Sequence, residues 1–162
     1  MQTLWSPWRS QYVGSGGGDA SSSNCVFCEI QEDPERDEQN FIVHRGVGNF
    51  IVLNLYPYIT GHLLIIPFAH VGDLYMANSD TTNELMELTK RCQVVLREVY
   101  NPAGFNVGIN LGVAAGAGIV DHLHLHILPR WAGDTNFMTT TGETRVIPED
   151  LTTTYQKLRG RF

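Results

Sequence analysis

The sequence predicts an α+β fold in which an antiparallel sheet of about five strands carries one long helix, inserted between the third and the fourth strand. Three observations favour this class. Short apolar runs bounded by turn residues occur in two groups, at 41–67 and 105–130. The segment between the two groups changes to helical spacing. The strands are grouped rather than alternating one by one with helices, so the pattern differs from a βαβ array.

The first group contains three predicted strands, at 41–44, 49–55 and 62–67. The stretch "YPYITG" separates the second run from the third, and its Pro57 and Gly61 are typical turn residues. A short turn connects neighbouring strands in opposite directions, so we expect three adjacent antiparallel strands.

A helix is predicted to begin at Thr81, where the period of the apolar residues changes. Thr81 and Glu84 have the spacing of a capping box. Asn101-Pro102 and Gly104 predict the end of the helix. The residues at helical spacing, which we expect to face the core, are Leu85, Leu88, Cys92, Val95, Leu96 and Val99.

Two further strands, "FNVGINLG" and "DHLHLHILPR", flank the glycine-rich stretch "GVAAGAG". The second strand alternates histidine with an apolar residue, and a strand turns successive side chains to opposite faces. The histidines on one face are His122, His124 and His126, and the apolar residues on the core face are Leu123, Leu125 and Ile127. Exposed strand faces usually carry Thr, Lys or Glu. Three of the chain's six histidines in one row therefore indicate a functional site rather than a polar outer face.

The composition fits one domain with a flexible extension at its N-terminus. With 43% hydrophobic and 17% charged residues over 162 positions, the chain can bury a sizeable core. The stretch "MQTLWSPWRSQYV" holds two tryptophans and a tyrosine, and "GSGGGDASSSN" follows as a low-complexity linker. We therefore divide the chain into an aromatic arm with its linker, 1–24, and a folded domain, 25–162.

Charge and hydropathy exclude several classes of partner. The formal net charge is −6 and the basic residues form no cluster, which argues against duplex nucleic acid, because phosphate backbones require many Lys and Arg contacts. No apolar stretch approaches the roughly 20 residues that cross a bilayer, and no basic leader precedes an apolar run. We expect a cytoplasmic protein without a membrane partner.

The three cysteines leave alternatives open. An odd count gives no disulfide framework. Cys25 and Cys28 in "CVFC" fit a redox pair, half of a zinc site or two core thiols, and the redox interpretation is weak because no βαβ pattern surrounds them. Cys92 lies on the apolar face of the predicted helix and is expected in the core.

Several motifs in the expected order resemble one known family. "HLHLHIL" is similar to the motif of the histidine triad (HIT) family, and "NLYPYITGHLLIIP" before it and "PRWAGDTNF" after it resemble the same family. The likeness covers about residues 25 to 137 and implies that 25–162 is a HIT-like catalytic domain. "LWSPWRSQY", "GFNVGINLG" and "RVIP" further resemble the branch that contains bacterial diadenosine tetraphosphate phosphorylases. The resemblance implies a homodimer and cleavage of a nucleotide at its α-phosphate through a covalent nucleotidyl-histidine.

The resemblance also implies roles for individual residues. His124 is implied as the nucleophile, with His126 at the phosphate and the leaving oxygen and His62 at the same site. An imidazole suits this chemistry because it is neutral and nucleophilic near pH 7. Asn54 is implied as a ligand of the ribose hydroxyls, since an amide both donates and accepts. The plainer alternatives are a hydrogen-bonded histidine at a strand start for His62 and a strand-end cap for Asn54.

Zinc is the cofactor that the resemblance implies. The family includes zinc-bearing relatives, among them galactose-1-phosphate uridylyltransferases, whose ligands match Cys25, Cys28, His70 and His122. On this assignment the metal connects the N-terminal part of the domain to the histidine strand.

The chain departs from the family where hydrolytic and transferase relatives carry Gln and Ser before the triad. Here the stretch is "AGAGIVD", so backbone N–H groups near Gly116 and Gly118 are the available donors for a phosphate. The alternative is a hairpin turn that needs glycine for its backbone angles. Two interpretations fit Arg130 and Trp131 equally well: contacts with phosphate or with a second subunit, and the packed end of a strand.

The resemblance implies a nucleotidyl-histidine enzyme that cleaves dinucleoside polyphosphates at the α-phosphate. Its expected activity is phosphorolysis of diadenosine tetraphosphate to ADP and ATP, with the nucleotide and inorganic phosphate as partners. Hydrolysis of dinucleoside polyphosphates or nucleoside phosphoramidates by water is the first alternative. A slow-turnover nucleotide-binding module and a zinc-stabilised interaction protein are the others.

Overall fold

A computed structural model describes residues 25–144 and 146–162. The predicted arm and linker, 1–24, lie outside the described residues. The helices are α1 (Val26–Gln31), α2 (Ser79–Tyr100), α3 (Phe137–Thr140) and α4 (Leu151–Leu158). The strands are β1 (Ile42–Arg45), β2 (Asn49–Leu53), β3 (Leu63–Pro67), β4 (Gly104–Ile109) and β5 (Leu125–Arg130). None of the helices in the described part of the chain is both long and apolar enough to cross a membrane.

The five strands form one antiparallel sheet in the order β1-β2-β3-β5-β4, with α2 between β3 and β4 along the chain. The predicted α+β class is confirmed. β3 pairs with β5 through Leu64 and His126, and β4 pairs with β5 through Gly108 and His126. His126 therefore lies on the central part of the sheet, with a strand on each side.

Both faces of the sheet are covered, and strand alternation assigns each side chain to one of them. The first core lies between the sheet and α2, and includes Leu63, Ile65, Leu125, Ile127 and the buried side of α2 with Cys92. The second core lies on the histidine face and includes Phe27 of α1, Phe50, Val52, Leu64 and Ile66. Continuous apolar runs such as "LLII" are the expected sequence of a strand buried on both faces.

The predicted capping box of the long helix is wrong. α2 begins at Ser79, and its N-cap is Asn78, whose side chain accepts a hydrogen bond from the Thr81 N–H. The Glu84 carboxylate instead accepts from the backbone N–H groups of Val47 and Gly48 in the β1–β2 turn. With the Asn49 amide the carboxylate has three charge-assisted bonds to this segment, whereas a capping box would give it one. The end of α2 is as predicted, with Asn101 in the left-handed region at φ 46°.

The last strand is shorter than predicted, because β5 begins at Leu125 rather than at residue 121. The Leu123 N–H donates to the Val71 carbonyl at 2.6 Å, outside the ladder. The His122 carbonyl is then available to the ring of His124. His122 and His124, the first two histidines of the motif, thus lie in the segment just before the chain enters the sheet.

Candidate functional site

The three histidines of the motif lie side by side and are buried, with relative exposures of 0% for His122, 5% for His124 and 8% for His126. The ring centroids of His124 and His126 are 5.0 Å apart. His62, at the start of β3, is also buried, and its ring centroid lies 5.2 Å from that of His126. The structure brings together the residues that the sequence singled out. A polar outer face for this strand is excluded.

The ring of His124 is held in one tautomer. Its Nδ1 lies 2.9 Å from the His122 carbonyl oxygen, and a carbonyl only accepts, so the proton is on Nδ1 and donates to that oxygen. The other nitrogen, Nε2, then carries a lone pair in the neutral ring. Burial lowers the pKa of His124, and the bond to the His122 carbonyl opposes that shift in part. The neutral, nucleophilic form of the ring is therefore favoured near pH 7.

A chain of hydrogen bonds fixes the tautomers of His62 and His126 as well. The backbone N–H of Tyr58 donates to His62 Nδ1 at 3.1 Å, so the proton of neutral His62 is on Nε2. His62 Nε2 lies 2.9 Å from His126 Nδ1 and donates to it. The proton of neutral His126 is then on Nε2. The Nε2–H donor of His126 thus belongs to a ring that lies beside the ring of His124, whose own Nε2 carries a lone pair.

Asn54 follows directly after β2, and its side chain makes two contacts. Its Oδ1 accepts from the Tyr56 N–H at 2.9 Å, which is the strand-end cap foreseen as an alternative. Its Nδ2 lies 3.3 Å from His62 Nδ1. Asn54 therefore orients the ring of His62, and its implied contact with ribose hydroxyls stays a prediction.

Cys25, Cys28, His70 and His122 form a cluster whose ligand atoms all lie within 4.8 Å of one another. His122 Nε2 donates to the Pro67 carbonyl at 2.8 Å, which leaves Nδ1 as the atom with a lone pair. This Nδ1 lies 3.3 Å from the Cys25 sulfur and 3.6 Å from that of Cys28. In a tetrahedral zinc site with bonds of about 2.3 Å to sulfur and 2.0 Å to nitrogen, such atoms lie about 3.5 Å apart. The donor set and spacing fit a zinc ion.

Phe27 connects the cysteine pair to the histidines. It lies between Cys25 and Cys28 in sequence. Its ring packs edge-on against His122, with centroids 5.5 Å apart, and is tilted against His124, with centroids 5.3 Å apart. Sequence reasoning assigned no role to Phe27, although its position inside "CVFC" was the available signal. Tyr58 was missed in the same way: it packs against both His62 and His126.

The glycine-rich loop has the backbone of a tight turn. Gly112 and Gly116 have φ of 79° and 86°, a region that favours glycine. The N–H groups of Ala115, Gly116 and Ala117 bond to carbonyls of Gly112 and Val113 within the loop. The glycine backbone angles that the alternative requires are present, but in a 3-10 turn within the connection 110–124 rather than in a hairpin turn. The phosphate contact at Gly116 and Gly118 stays a prediction, and the Gly116 N–H already donates to the Val113 carbonyl.

Arg130 and Trp131 pack at the end of β5. The Arg130 guanidinium pairs with Asp134 and donates to the Asn106 side chain, and the Trp131 indole donates to the Tyr100 carbonyl. The packed strand end is therefore present. Cys92 is buried in the first core, as predicted. His44, on β1 and outside the site, is half-buried against Phe162.

A sheet with one long helix on one face and a row of buried histidines on the other defines a histidine triad protein. The HIT domain family model matches residues 35–133. The chain therefore belongs to the HIT domain family.

Individual relatives are similar over most of the chain. The AP-4-A phosphorylase of Mycobacterium tuberculosis is 40% identical over 161 residues, which cover 98% of this chain and 83% of that protein. The adenosine 5'-monophosphoramidase HNT1 of Candida albicans is 29% identical over 68% of this chain and 73% of its own length. A solved structure of a Zn-bound histidine triad family protein from Mycobacterium smegmatis has a TM-score of 0.69 at 30% identity, covering 87% of this chain and 94% of that one.

We expect His62 to stay neutral in the folded protein well below pH 6. Burial, reinforced by His126 and His124, lowers the pKa of His62 to about 3. The unfolded chain binds this proton below about pH 6.5. The free energy of unfolding should therefore decrease as the pH falls from 6.5 towards 3. NMR of the ring, assigned with His62→Asn, measures the titration directly. A folded-state transition of His62 between pH 7 and 5 would contradict the expectation.

Proposed function

We propose that this protein is a diadenosine tetraphosphate phosphorylase that works through a nucleotidyl-histidine. The observation that carries the proposal is the hydrogen bond from His124 Nδ1 to the His122 carbonyl, which leaves Nε2 as a nucleophile beside a donor, His126. The 40% identity to the M. tuberculosis AP-4-A phosphorylase over nearly the whole chain supports the choice of substrate.

In the first step His124 Nε2 attacks the α-phosphorus. A P–N bond forms, the bond from the α-phosphorus to the bridging oxygen breaks, and its electron pair leaves with that oxygen as ATP. The ring of the adduct becomes an imidazolium, and the His122 carbonyl, 2.9 Å from its Nδ1–H, stabilises the new positive charge. No auxiliary base is needed, because the attacking nitrogen carries no proton.

His126 serves the leaving group. Its Nε2–H donates to the bridging oxygen as negative charge builds there, and His62 holds this tautomer through the 2.9 Å hydrogen bond to His126 Nδ1. Asn54 supports His62 and binds the ribose hydroxyls. Burial lowers the pKa of His62 and His124, so these two rings act in the neutral form.

In the second step an oxygen of inorganic phosphate attacks the adenylyl phosphorus from the side that ATP vacated. The P–N bond breaks, its electron pair returns to His124 Nε2, and ADP forms. The backbone N–H of Gly118, beyond the loop-internal bonds of the 112–117 turn, is a donor for the incoming anion. Water is the alternative acceptor, and the likeness to an adenosine 5'-monophosphoramidase favours it as the second candidate.

Zinc is the proposed metal of the Cys25, Cys28, His70 and His122 cluster, and its role there is structural. The thiolates of Cys25 and Cys28 and the imidazoles of His70 and His122 would hold the ion, which would tie these side chains together. Burial and the neighbouring Cys25 raise the pKa of Cys28 to about 11, so a cation is needed to keep this sulfur as thiolate. The ion would connect α1 to the histidine segment through His122. A homodimer and a cytoplasmic location stay predictions.

Incubation with diadenosine tetraphosphate and isotopically labelled inorganic phosphate tests the function. We expect ADP and ATP in equal amounts, with the label in ADP and cleavage that depends on phosphate. AMP and ATP without ADP, at millimolar phosphate, would make water the acceptor and would remove the phosphorylase assignment. If the dinucleotide is cleaved neither with nor without phosphate, the proposal that this protein is an enzyme of this kind is wrong.

His124→Ala should lower turnover by at least about a thousandfold and leave nucleotide affinity nearly unchanged, because the nucleophile acts mainly in the transition state. Wild-type protein quenched in alkaline denaturant should carry an adenylyl group on His124 by mass spectrometry. His44→Ala, which removes a histidine outside the site, is the matched control. Turnover of His124→Ala near the wild-type rate would overturn the mechanism.

The zinc proposal predicts one zinc per chain by elemental analysis of protein purified without chelator. Cys25→Ser should lose the metal and several degrees of melting temperature, at roughly 2–4 °C per kcal/mol for a chain of this size. Cys92→Ala, a cysteine outside the cluster, should retain zinc. Protein that is folded, free of zinc and indifferent to Cys25→Ser would refute the site.

A further inference from the structure

An open pocket of about 180 Å³ lies beside His126. Its lining includes Tyr58, His126, Asn106, Gly108 and Asn110, but not His124. The pocket therefore runs along β4 beside the donor histidine, from Asn106 to Asn110. In the proposed reaction the group that departs, and then the anion that attacks, contact His126, so this pocket is a space that they can occupy.

Strand register places Asn106 on the same face as His126. Gly108 is paired with His126 and Asn106 with Leu128, so Asn106 lies two residues along β4 from the partner of His126. Gly108 presents no side chain between them. A ligand in contact with His126 can therefore extend along β4 to the Asn106 amide.

The orientation of the Asn106 amide is fixed by Arg130. The guanidinium donates to Asn106 Oδ1 at 2.6 Å, and the same guanidinium is held by two bonds to the Asp134 carboxylate. With its oxygen engaged, Asn106 presents its Nδ2 hydrogens, which are donors. Asp134 neutralises the charge of Arg130. The pocket is therefore lined by the oriented Asn106 amide donor and not by an unpaired positive charge.

We propose that Asn106 binds the phosphate that follows the scissile bond: first the leaving polyphosphate, then the incoming inorganic phosphate. This proposal rests on the proposed function. It assigns to Asn106 a hydrogen bond from Nδ2 to a phosphate oxygen, and to Arg130 the orientation of that amide. The two donors, His126 Nε2 and Asn106 Nδ2, then lie along the same anion.

A purely structural role for Asn106, as a link between β4 and the end of β5, makes a different prediction. Asn106→Asp keeps an oxygen that accepts from Arg130 and therefore keeps the link. It removes the donor and adds a negative charge in the pocket. Asn106→Ala removes both the link and the donor. Gln39→Glu is the matched control, because Gln39 is an amide that also accepts from an arginine, Arg36, outside the site.

The experiment measures steady-state kinetics against inorganic phosphate and, separately, NMR of the Asn106 side-chain amide during titration with inorganic phosphate. We expect Asn106→Asp to keep the wild-type melting temperature and to raise the KM for phosphate by about tenfold or more, with Gln39→Glu unchanged. The Asn106 amide signals of the wild type should shift with phosphate and saturate.

The outcomes separate this inference from the proposed function. An unchanged KM for phosphate in Asn106→Asp, together with amide signals that do not respond to phosphate, overturns the inference. If the wild type still produces ADP, the proposed function stands. Amide signals that shift and saturate in a wild type that cleaves no dinucleotide support the phosphate site and contradict the function. Loss of stability in Asn106→Ala, with normal KM in Asn106→Asp, reduces Asn106 to a structural link.

Discussion

The site depends on three contacts of His122, two made by its ring nitrogens and one by its backbone carbonyl. Its Nε2–H donates to the Pro67 carbonyl, its Nδ1 faces the sulfurs of Cys25 and Cys28, and its backbone carbonyl accepts from His124. Each contact constrains the next, because the ring tautomer set at Nε2 makes Nδ1 a ligand atom, and the buried backbone orients the neighbouring ring. The proposed metal site and the proposed nucleophile therefore share one residue, and a disturbance of either should be transmitted to the other.

The same constraint explains why the histidine face is buried. A row of imidazoles open to water would exchange their hydrogen bonds with solvent, and their tautomers would not be fixed. Phe27 packs against His122 and His124, and Tyr58 packs against His62 and His126. Burial lowers the pKa of His62, His122 and His124, which keeps these rings neutral. The sheet thus has one core that stabilises the fold and a second that holds the site.

Periodicity in the sequence was sufficient for the chain order of the elements and for the row of three histidines, whereas His62, Asn54 and the ligand set of the metal cluster came from the family resemblance. The order of the strands and the helix, the apolar face of α2 and the row of histidines follow from spacings of two and of three to four residues. Contacts between distant segments were not predictable in this way. Glu84 had the right spacing for a capping box, but its carboxylate binds N–H groups of a turn about 36 residues earlier in the chain. Such a partner is visible only after the helix has packed on the sheet.

The sequence by itself determined the row of histidines on one strand face, because residue type and local period are properties of a short stretch. His122, His124 and His126 alternate whatever surrounds them. The tertiary structure alone decided which nitrogen of each ring carries the proton, since this depends on carbonyls and N–H groups from Pro67, Tyr58 and the chain's departure from the ladder before Leu125. It also decided that Asn106 and Arg130 meet beside the pocket, because β4 and β5 become neighbours only when the sheet forms.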